Sequence, residues 1–212
     1  MKKYLLFDND GVLVDTEQYY YKANQKALLE FGLSLEFDTY MEIMARGGTA
    51  WEIAKKNGFS QKEIDKKRAQ RDIYYQEYIQ NENIEIDGVI DTLEKLSKNY
   101  KMGIVTTSRR VDFELVHKSK DIVRYMDFTL CVEDYPRSKP YPDPYLAGMK
   151  NFNATADECI IIEDSQRGLS AAVNAKIECI IVHNAFTATH DFTQASYKID
   201  KLTHLPKLLD NL

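Results

Sequence analysis

The sequence predicts an α/β fold with a parallel-sheet core and an all-helical insertion after the first strand. Short apolar runs alternate with helical stretches over the second half of the chain, a pattern typical of a parallel sheet that helices cover on both faces. Residues 16–83, in contrast, have helical periodicity and contain no convincing strand. The first strand therefore has to pair with strands that follow this segment, which makes the segment an insertion.

The first elements are one strand and the helices of the insertion. Residues 4–7 form a short apolar run that predicts a buried strand, and Gly11 soon afterwards allows the backbone to turn. Helices are predicted at 17–30, 35–44, 50–56 and 61–79, separated by Gly32, the Arg46-Gly47-Gly48 turn and Gly58. We expect a helical domain at 16–83 and a core domain formed by residues 1–15 and 84–212.

Helices and strands alternate after Asp87-Gly88. Each predicted strand is a short apolar run, and each predicted helix carries a periodic apolar face. The strands are predicted at 102–106, 128–132, 159–162 and 177–182, and the helices at 89–96, 111–119, 144–151 and 167–174.

Composition and charge limit the classes of partner. The chain of 212 residues has a net charge of −5, which gives no electrostatic support to a nucleic-acid partner. The apolar run near the N-terminus is too short for a signal peptide or a membrane span, so we expect a cytoplasmic protein without a membrane partner. The three cysteines and four histidines show no metal-ligand spacing, and we expect ordinary packing or surface roles for them.

Two carboxylates directly follow the first strand. Asp8 and Asp10 would project from one face if the extended conformation continued through them. Two anions so close raise each other's pKa unless a cation lies between them. A divalent cation that prefers oxygen ligands, such as Mg²⁺, would resolve this repulsion and could also hold a substrate phosphate.

Further polar residues follow the later strands. The carboxyl ends of parallel strands converge on one edge of the sheet, where such folds bind ligands. Thr106-Thr107-Ser108, the 137–140 loop with Lys139, and Glu163-Asp164-Ser165 all lie at these ends. Carboxylates, hydroxyls and a lysine together are what a metal-assisted phosphoryl-transfer site needs. In isolation, an Asp-x-Asp pair is more often a turn, and residues 163–165 could simply cap a helix.

These residues resemble the motifs of the haloacid dehalogenase-like hydrolase superfamily, and within it the β-phosphoglucomutase-like group. The segment 8–17 resembles the first motif, Thr106 the second, Lys139-Pro140 with Pro142-Asp143 the third, and Glu163-Asp164-Ser165 with Gly168 the fourth. The resemblance implies a Rossmann-like core with a helical cap at 16–83, and a monomer is common for capped members of this size. It also implies a Mg²⁺-dependent phosphatase that acts on a small phosphorylated metabolite such as a sugar phosphate.

The same resemblance assigns roles to the acidic residues. Asp8 would be the nucleophile that takes the phosphoryl group, and Asp10 would act first as general acid and then as general base. Mg²⁺ would be held by Asp8, the backbone carbonyl of Asp10 and Asp164, with Glu163 as a direct or water-mediated ligand.

The phosphate would be bound by uncharged and basic groups. Thr106 would hydrogen-bond a phosphoryl oxygen, and the Thr107 N–H would complete the phosphate cradle. Lys139 would neutralise the transferring charge while it pairs with the carboxylates. Arg109 and Arg110 we expect in solvent at the start of a helix.

Two positions in the insertion depart from the mutase that gives the group its name. Tyr20 stands where β-phosphoglucomutase has a cap histidine, and Ala50 or Trp51 lies near the place of its phosphate-binding arginine. A mutase needs a second phosphate site, so a phosphatase is favoured and a β-phosphoglucomutase-type phosphomutase is the alternative. Tyr20 and Arg46 are the candidate specificity residues of the cap.

Two other functions use similar residues. A true haloacid dehalogenase would leave Asp10 without a task, which argues against it. A non-catalytic phosphate-dependent switch, similar to a response-regulator receiver, also combines carboxylates, Mg²⁺, a hydroxyl and a lysine. Such a switch needs neither the helical insertion nor an acid at Asp10.

Overall fold

A central sheet of six parallel strands organises the molecule, with strand order β3-β2-β1-β4-β5-β6. The computed structural model describes residues 2–212. The first strand lies in the middle of the sheet, between two strands that follow much later in the sequence. The strands are β1 Tyr4–Phe7, β2 Lys101–Val105, β3 Phe128–Leu130, β4 Cys159–Glu163, β5 Glu178–Val182 and β6 Tyr197–Ile199.

Nine α-helices accompany this sheet in residues 2–212. The helices between β1 and β2 are α1 Glu17–Leu29, α2 Phe37–Ala45, α3 Trp51–Lys56 and α4 Gln61–Asn81. We call residues 17–81 the helical insertion. The helices after it are α5 Val89–Leu96, α6 Arg110–His117, α7 Asp143–Asn151, α8 Gln166–Ala175 and α9 Leu205–Leu209. The predicted α/β class with a helical insertion is confirmed.

The sheet is buried on both faces because its strands are apolar at nearly every position. Successive side chains of a strand point to opposite faces, so Leu5 and Phe7 join one apolar cluster while Leu6 joins the other. All three side chains are fully buried. Because the strands are parallel and paired in register, their carboxyl ends lie at the same edge of the sheet. The polar residues that follow the strands therefore meet at this edge.

The helical insertion has an apolar cluster of its own. Leu28, Trp51 and Ile64 belong to it, and they come from α1, α3 and α4. The long helix α4 begins with a capping box, in which Ser60 and Glu63 satisfy each other's backbone N–H groups. The insertion therefore has internal packing that does not depend on the sheet.

The two connections between the insertion and the sheet run side by side. The Asp15 N–H donates to the carbonyl of Ile84 over 2.9 Å. Val14 and Glu85 form an antiparallel bridge next to it. The start and the end of the helical insertion are therefore held together by backbone hydrogen bonds.

Several elements differ from the sequence prediction. The extended conformation does not continue through Asp8 and Asp10, because β1 ends at Phe7 and the chain turns. The short strand β6 and the helix α9 were not predicted from the sequence. In the described residues 2–212, no helix combines the length and the apolar character that a membrane crossing requires.

Candidate active site

The turn after β1 places Asp8 against the neighbouring strand. The Asp8 N–H donates to the carbonyl of Ile162 over 2.9 Å, so the residue stays tied to β4 while the chain leaves the sheet. Gly11 then adopts a φ of +82°, and a Cβ there would lie 2.1 Å from Asp164 Oδ2. A glycine is required at this position both for the backbone conformation and for the close approach of Asp164.

Lys139 lies between two buried carboxylates. Its Nζ is 2.8 Å from Asp8 Oδ1 and 2.7 Å from Glu163 Oε1, and it also donates to the carbonyl of Val105 over 3.0 Å. Burial by itself lowers the pKa of Lys139, but the charges of Asp8 and Glu163 outweigh this effect and raise the pKa above its usual value. Lys139 is therefore a fixed cation inside the site.

Three carboxylates form an acidic cluster suited to a cation. Oxygen atoms of Asp8, Glu163 and Asp164 lie within 4.8 Å of one another. Burial, reinforced by Glu163, raises the pKa of Asp8 to about 7 although Lys139 acts in the opposite direction. Burial likewise raises the pKa of Asp164, and its buried Oδ1 has no hydrogen-bond partner in residues 2–212. These oxygens have the chemistry that a hard divalent cation requires.

Glu163 differs from the other two carboxylates of the cluster because protein donors occupy both its oxygens. Oε1 accepts from Lys139 and from the hydroxyl of Tyr145, and Oε2 accepts from the backbone N–H groups of Asp164 and Ser165 and from the Ser165 hydroxyl. Lys139 lowers the pKa of Glu163 although burial opposes this. Asp8 and Asp164 are therefore better placed than Glu163 to bind a cation directly.

Asp10 lies among hydroxyl groups rather than within the acidic cluster. Its Oδ2 accepts from Ser108 Oγ over 2.7 Å and from Thr106 Oγ1 over 3.2 Å. Its Oδ1 accepts from the hydroxyl of Thr16. The two carboxylates of the Asp-x-Asp pair therefore have different partners, which allows them different chemical tasks.

Thr106 and Thr107 lie at the carboxyl end of β2, as expected. The Thr106 side chain is fully buried, and its hydroxyl, besides donating to Asp10, accepts from the Ser108 N–H over 3.0 Å. Thr107 Oγ1 accepts a long bond of 3.4 Å from the guanidinium of Arg167. The structure thus confirms that Ser108 lies at this edge and adds Arg167 to the residues that the sequence placed there.

A cavity of about 440 Å³ lies between the helical insertion and the strand ends. Tyr20 lines it, as predicted, with its ring 4.3 Å from the guanidinium of Arg71 and edge-on to Tyr75. Arg46 does not line it, which argues against the expected substrate contact. The Arg46 side chain is exposed and pairs with Glu52 instead.

Two residues of the cavity wall, Glu17 and Trp51, carry unpaired polar atoms and were not predicted as functional. Burial raises the pKa of Glu17 to about 8, although Arg167 acts against this shift. Glu17 Oε2 and Trp51 Nε1 are buried without a hydrogen-bond partner in the described chain. Such groups are rare in folded proteins and are expected to have a partner in the functional state. The only sequence signal for a role of Glu17 was its position within the segment 8–17.

Arg109 lies at the start of α6, as expected, but its side chain is only partly exposed. It lines the cavity, and its guanidinium pairs with Asp72 of α4 and with Asp112 of α6. Arg110 pairs with Asp134 at the surface. No sequence pattern indicated the partner of Arg109, because Asp72 comes from the helical insertion.

Comparison with known proteins identifies similar sequences over most of the chain. The model of the family described as "Haloacid dehalogenase-like hydrolase" matches residues 5–182. A "Phosphorylated carbohydrates phosphatase" of Thermotoga maritima is 30% identical, and the match covers 85% of both chains. The "Fructose-1-phosphate phosphatase YqaB" of Escherichia coli is 24% identical over 84% of this chain and 95% of that protein.

Solved structures show the same fold. CbbY from Rhodobacter sphaeroides in complex with phosphate superposes with a TM-score of 0.81 at 19% identity, and covers 97% of this chain and 96% of its own. β-Phosphoglucomutase from Clostridium difficile gives a TM-score of 0.81 at 24% identity, over 99% and 96% of the two chains. At these identities the likeness concerns the fold alone.

Proposed function

Because this chain belongs to the haloacid dehalogenase-like hydrolase family, in which it is a phosphoric monoester hydrolase, we propose that it is a Mg²⁺-dependent phosphatase of small phosphorylated metabolites. The family resemblance inferred from the four sequence motifs is confirmed. One observation carries the finer proposal: Lys139 fixes the Asp8 carboxylate within the acidic cluster, while hydroxyl groups hold Asp10 outside that cluster. A nucleophile and an acid are thereby separated within one short turn.

The proposed reaction has two displacement steps. In the first, an oxygen of Asp8 bonds to phosphorus and the bond from phosphorus to the ester oxygen breaks, while Asp10 gives its proton to the leaving alcohol. In the second, Asp10 takes a proton from water as that water attacks phosphorus. The bond between Asp8 and phosphorus then breaks and releases inorganic phosphate.

Charge has to be managed at both steps because an anionic nucleophile approaches an anionic phosphate. Lys139 holds one positive charge against Asp8, and we propose that Thr106 and the Thr107 N–H stabilise the phosphoryl oxygens. Asp8, Asp164 and the backbone carbonyl of Asp10 are the proposed Mg²⁺ ligands. Bound there, Mg²⁺ would supply the additional positive charge that the phosphoryl oxygens need. Glu163, whose oxygens are occupied, acts through Lys139 or through a water ligand.

The cavity supports a hydroxyl-bearing substrate such as a sugar phosphate. Trp51 Nε1 offers a donor and Glu17 Oε2 an oxygen, and both lack partners in the described chain. A hydroxylated substrate could satisfy both groups, whereas an apolar substrate would leave them buried and unpaired. The names of the two phosphatases described above state that they act on phosphorylated carbohydrates and on fructose 1-phosphate. This agrees with a sugar phosphate as the substrate. The helical insertion is the proposed cap that closes over this cavity and excludes water.

The direct test measures phosphate release from a panel of sugar phosphates and other small phosphate esters. With Mg²⁺ we expect release from at least one sugar phosphate, and EDTA should abolish it. Asp8→Asn should lower the rate on the order of a thousandfold or more, because the nucleophile is lost. Asp210→Asn, an exposed aspartate after α9, is the control and should leave the rate unchanged. Release that survives both EDTA and Asp8→Asn would contradict the proposal.

A phosphomutase is the second candidate function, and one observation favours it. Arg68 of α4 lines the cavity, and within residues 2–212 its side chain forms neither a hydrogen bond nor an ion pair, so its guanidinium is available for a second phosphate. A mutase should interconvert hexose phosphates when primed with a hexose bisphosphate. Arg68→Met would abolish that interconversion, whereas a phosphatase that uses only one phosphate would still release phosphate from the substrate it prefers.

A further inference from the structure

A short loop after β5 holds the candidate metal ligand Asp164 at two points. We call residues 184–187 the 184–187 loop. Asn184 Nδ2 donates to Asp164 Oδ2 over 2.9 Å, and the buried Thr187 hydroxyl donates to the Asp164 carbonyl over 2.7 Å. With Oδ2 engaged in this way, Oδ1 is the oxygen of Asp164 that remains without a protein partner. The loop therefore sets which oxygen of this carboxylate is available to a cation.

The same loop reaches the helical insertion through Phe186. Its ring packs against three aromatic rings of the insertion, at centroid distances of 5.2 Å to Phe37, 6.3 Å to Tyr40 and 6.5 Å to Tyr21. The interplanar angles of 85°, 73° and 60° are edge-on arrangements, which aromatic pairs prefer. Phe186 is thus a partly buried residue of the core domain whose ring packs against the insertion.

The two contacts are linked through one side chain. The Phe186 N–H donates to Asn184 Oδ1 over 2.9 Å, while Nδ2 of the same amide donates to Asp164. The Asn184 amide is therefore held at its oxygen by the backbone of Phe186, whose ring packs against the insertion, and at its nitrogen by the carboxylate of Asp164. Nδ2 also makes a long bond of 3.4 Å to the Gly11 carbonyl. A displacement of Phe186 would remove the one restraint on the oxygen of this amide.

We propose that Phe186 and Asn184 are positioning residues that couple closure of the helical insertion to cation binding at Asp164. This inference rests on the proposed function in taking Asp164 as a metal ligand. When the insertion closes, its three rings hold Phe186, and Asn184 then orients Asp164 with Oδ1 toward the cation. Because coupling between two sites is reciprocal, cation binding also favours the closed insertion.

The first measurement is Mg²⁺ affinity by titration calorimetry without substrate. Phe186→Ala removes the contacts with the insertion, and we expect it to raise the Kd for Mg²⁺ roughly three- to tenfold, the scale of a lost aromatic pair or two. Phe192→Ala is the matched control, because Phe192 follows in the same connection but packs on the core cluster and on His190. The control should leave the Kd unchanged. Equal Mg²⁺ affinities for wild type and Phe186→Ala would overturn the coupling.

The second measurement follows the insertion itself through the single tryptophan, Trp51. Trp51 is buried in the insertion, at 4% exposure, and lines the cavity, so opening should raise its quenching by acrylamide. In the wild type, Mg²⁺ should lower this quenching. In Phe186→Ala, Mg²⁺ should no longer change it. A Mg²⁺ response of the same size in both proteins would overturn the coupling even if their affinities differed.

Two further variants keep the test decisive if Phe186→Ala is unstable. Phe186→Leu keeps an apolar side chain but loses the edge-on ring contacts, and a smaller rise in Kd is expected. Asn184→Ala leaves the ring in place, so it should weaken Mg²⁺ binding and also abolish the Mg²⁺ effect on Trp51. Mg²⁺ binding by the wild type without any phosphatase activity would leave the coupling standing, whereas no Mg²⁺ binding would overturn both the coupling and the proposed metal site.

Discussion

At the scale of single residues, Lys139 shows how the site keeps acidic groups buried. One ammonium group contacts Asp8 and Glu163, and the side chains of all three residues are nearly or fully buried. A buried ion pair contributes little net stability, but removal of one partner leaves an uncompensated charge, which is expensive. Lys139 is therefore as important for the folded state as for the proposed chemistry.

Lys139→Met tests this structural role. We expect a loss on the order of 3–5 kcal/mol in the free energy of unfolding, because two carboxylates remain buried without their cation. Urea unfolding at neutral pH in the presence of EDTA measures it. Lys98→Met, at an exposed position, is the control and should cost less than about 0.5 kcal/mol. Equal stabilities for the two variants would contradict the role assigned to Lys139.

His117 is a second buried titratable group next to the turn. Its Nε2 lies 2.7 Å from Asn9 Oδ1, and its ring packs on Phe113. Burial lowers the pKa of His117 to about 4, against an ordinary value of 6.5. The folded protein therefore holds the His117 ring in its neutral form against Asn9, the residue between Asp8 and Asp10.

This shift predicts a pH dependence of stability. Between pH 6.5 and about 4 the unfolded chain binds a proton at His117 that the folded protein does not, so stability falls as the pH falls through this window and no further below it. The loss amounts to roughly 3 kcal/mol at most. His117→Gln should remove this part of the slope in urea unfolding, whereas His204→Gln at an exposed position should not. An unchanged slope in His117→Gln would argue against the buried neutral ring.

At the scale of elements, the start of α8 approaches the end of β4 unusually closely. A Cβ on Gly168 would lie 1.8 Å from Glu163 Oε1, which is far inside contact distance. Ser165 caps this helix by accepting from the Gly168 N–H over 3.2 Å. The glycine therefore lets the helix begin directly against the carboxylate that holds Lys139.

Gly168→Ala is predicted to displace Glu163 and with it Lys139. We expect a loss of roughly 2–4 kcal/mol in the free energy of unfolding, as for a strongly overpacked site. Ser170→Ala in the same helix, a partly exposed position, should change stability by less than about 1 kcal/mol. Thermal unfolding of the wild type and of the two variants measures both changes in stability. A fully stable Gly168→Ala would show that Glu163 can move aside without cost.

The elements also show what a sequence can and cannot indicate. Asp8, Thr106 and Asp164 could be placed at one edge because apolar runs mark buried strands, and parallel strands end together. Asn184 and Phe186 could not, because their contacts depend on a loop that meets Asp164 and the helical insertion only in the folded chain. The short strand β6 was missed because its three residues carry no clear periodicity.

At the scale of the whole molecule, polar contacts hold the helical insertion against the core. Arg109 Nη1 lies 2.5 Å from Asp72 Oδ2, and Gln76 Nε2 donates to Asp112 Oδ1 over 2.8 Å. Asp72 and Gln76 belong to α4, whereas Arg109 and Asp112 belong to the core. Because Arg109 is more than a third exposed, salt should screen its pair with Asp72.

These contacts predict that ionic strength changes the distance between the helical insertion and the core. Asp72→Asn removes one charge of the pair, and we expect it to raise the radius of gyration at low salt and to make it insensitive to salt. The wild type should expand modestly between low salt and 1 M NaCl. Small-angle scattering measures both, with Asp65→Asn, an exposed aspartate of the same helix, as control. A wild type with a constant radius would indicate that other contacts keep the insertion closed.

The adjacent connections at Asp15 and Ile84 have a consequence for how this chain could change over evolutionary time. The backbone hydrogen bond between them closes the sheet domain at the place where the helices leave it. Helices could therefore be exchanged, lengthened or replaced by a short turn here while the six strands kept their register. Substrate preference could drift in this way without any change to the residues that carry the proposed chemistry. The same junction is where a foreign helical module could be grafted to give the hydrolase a new specificity.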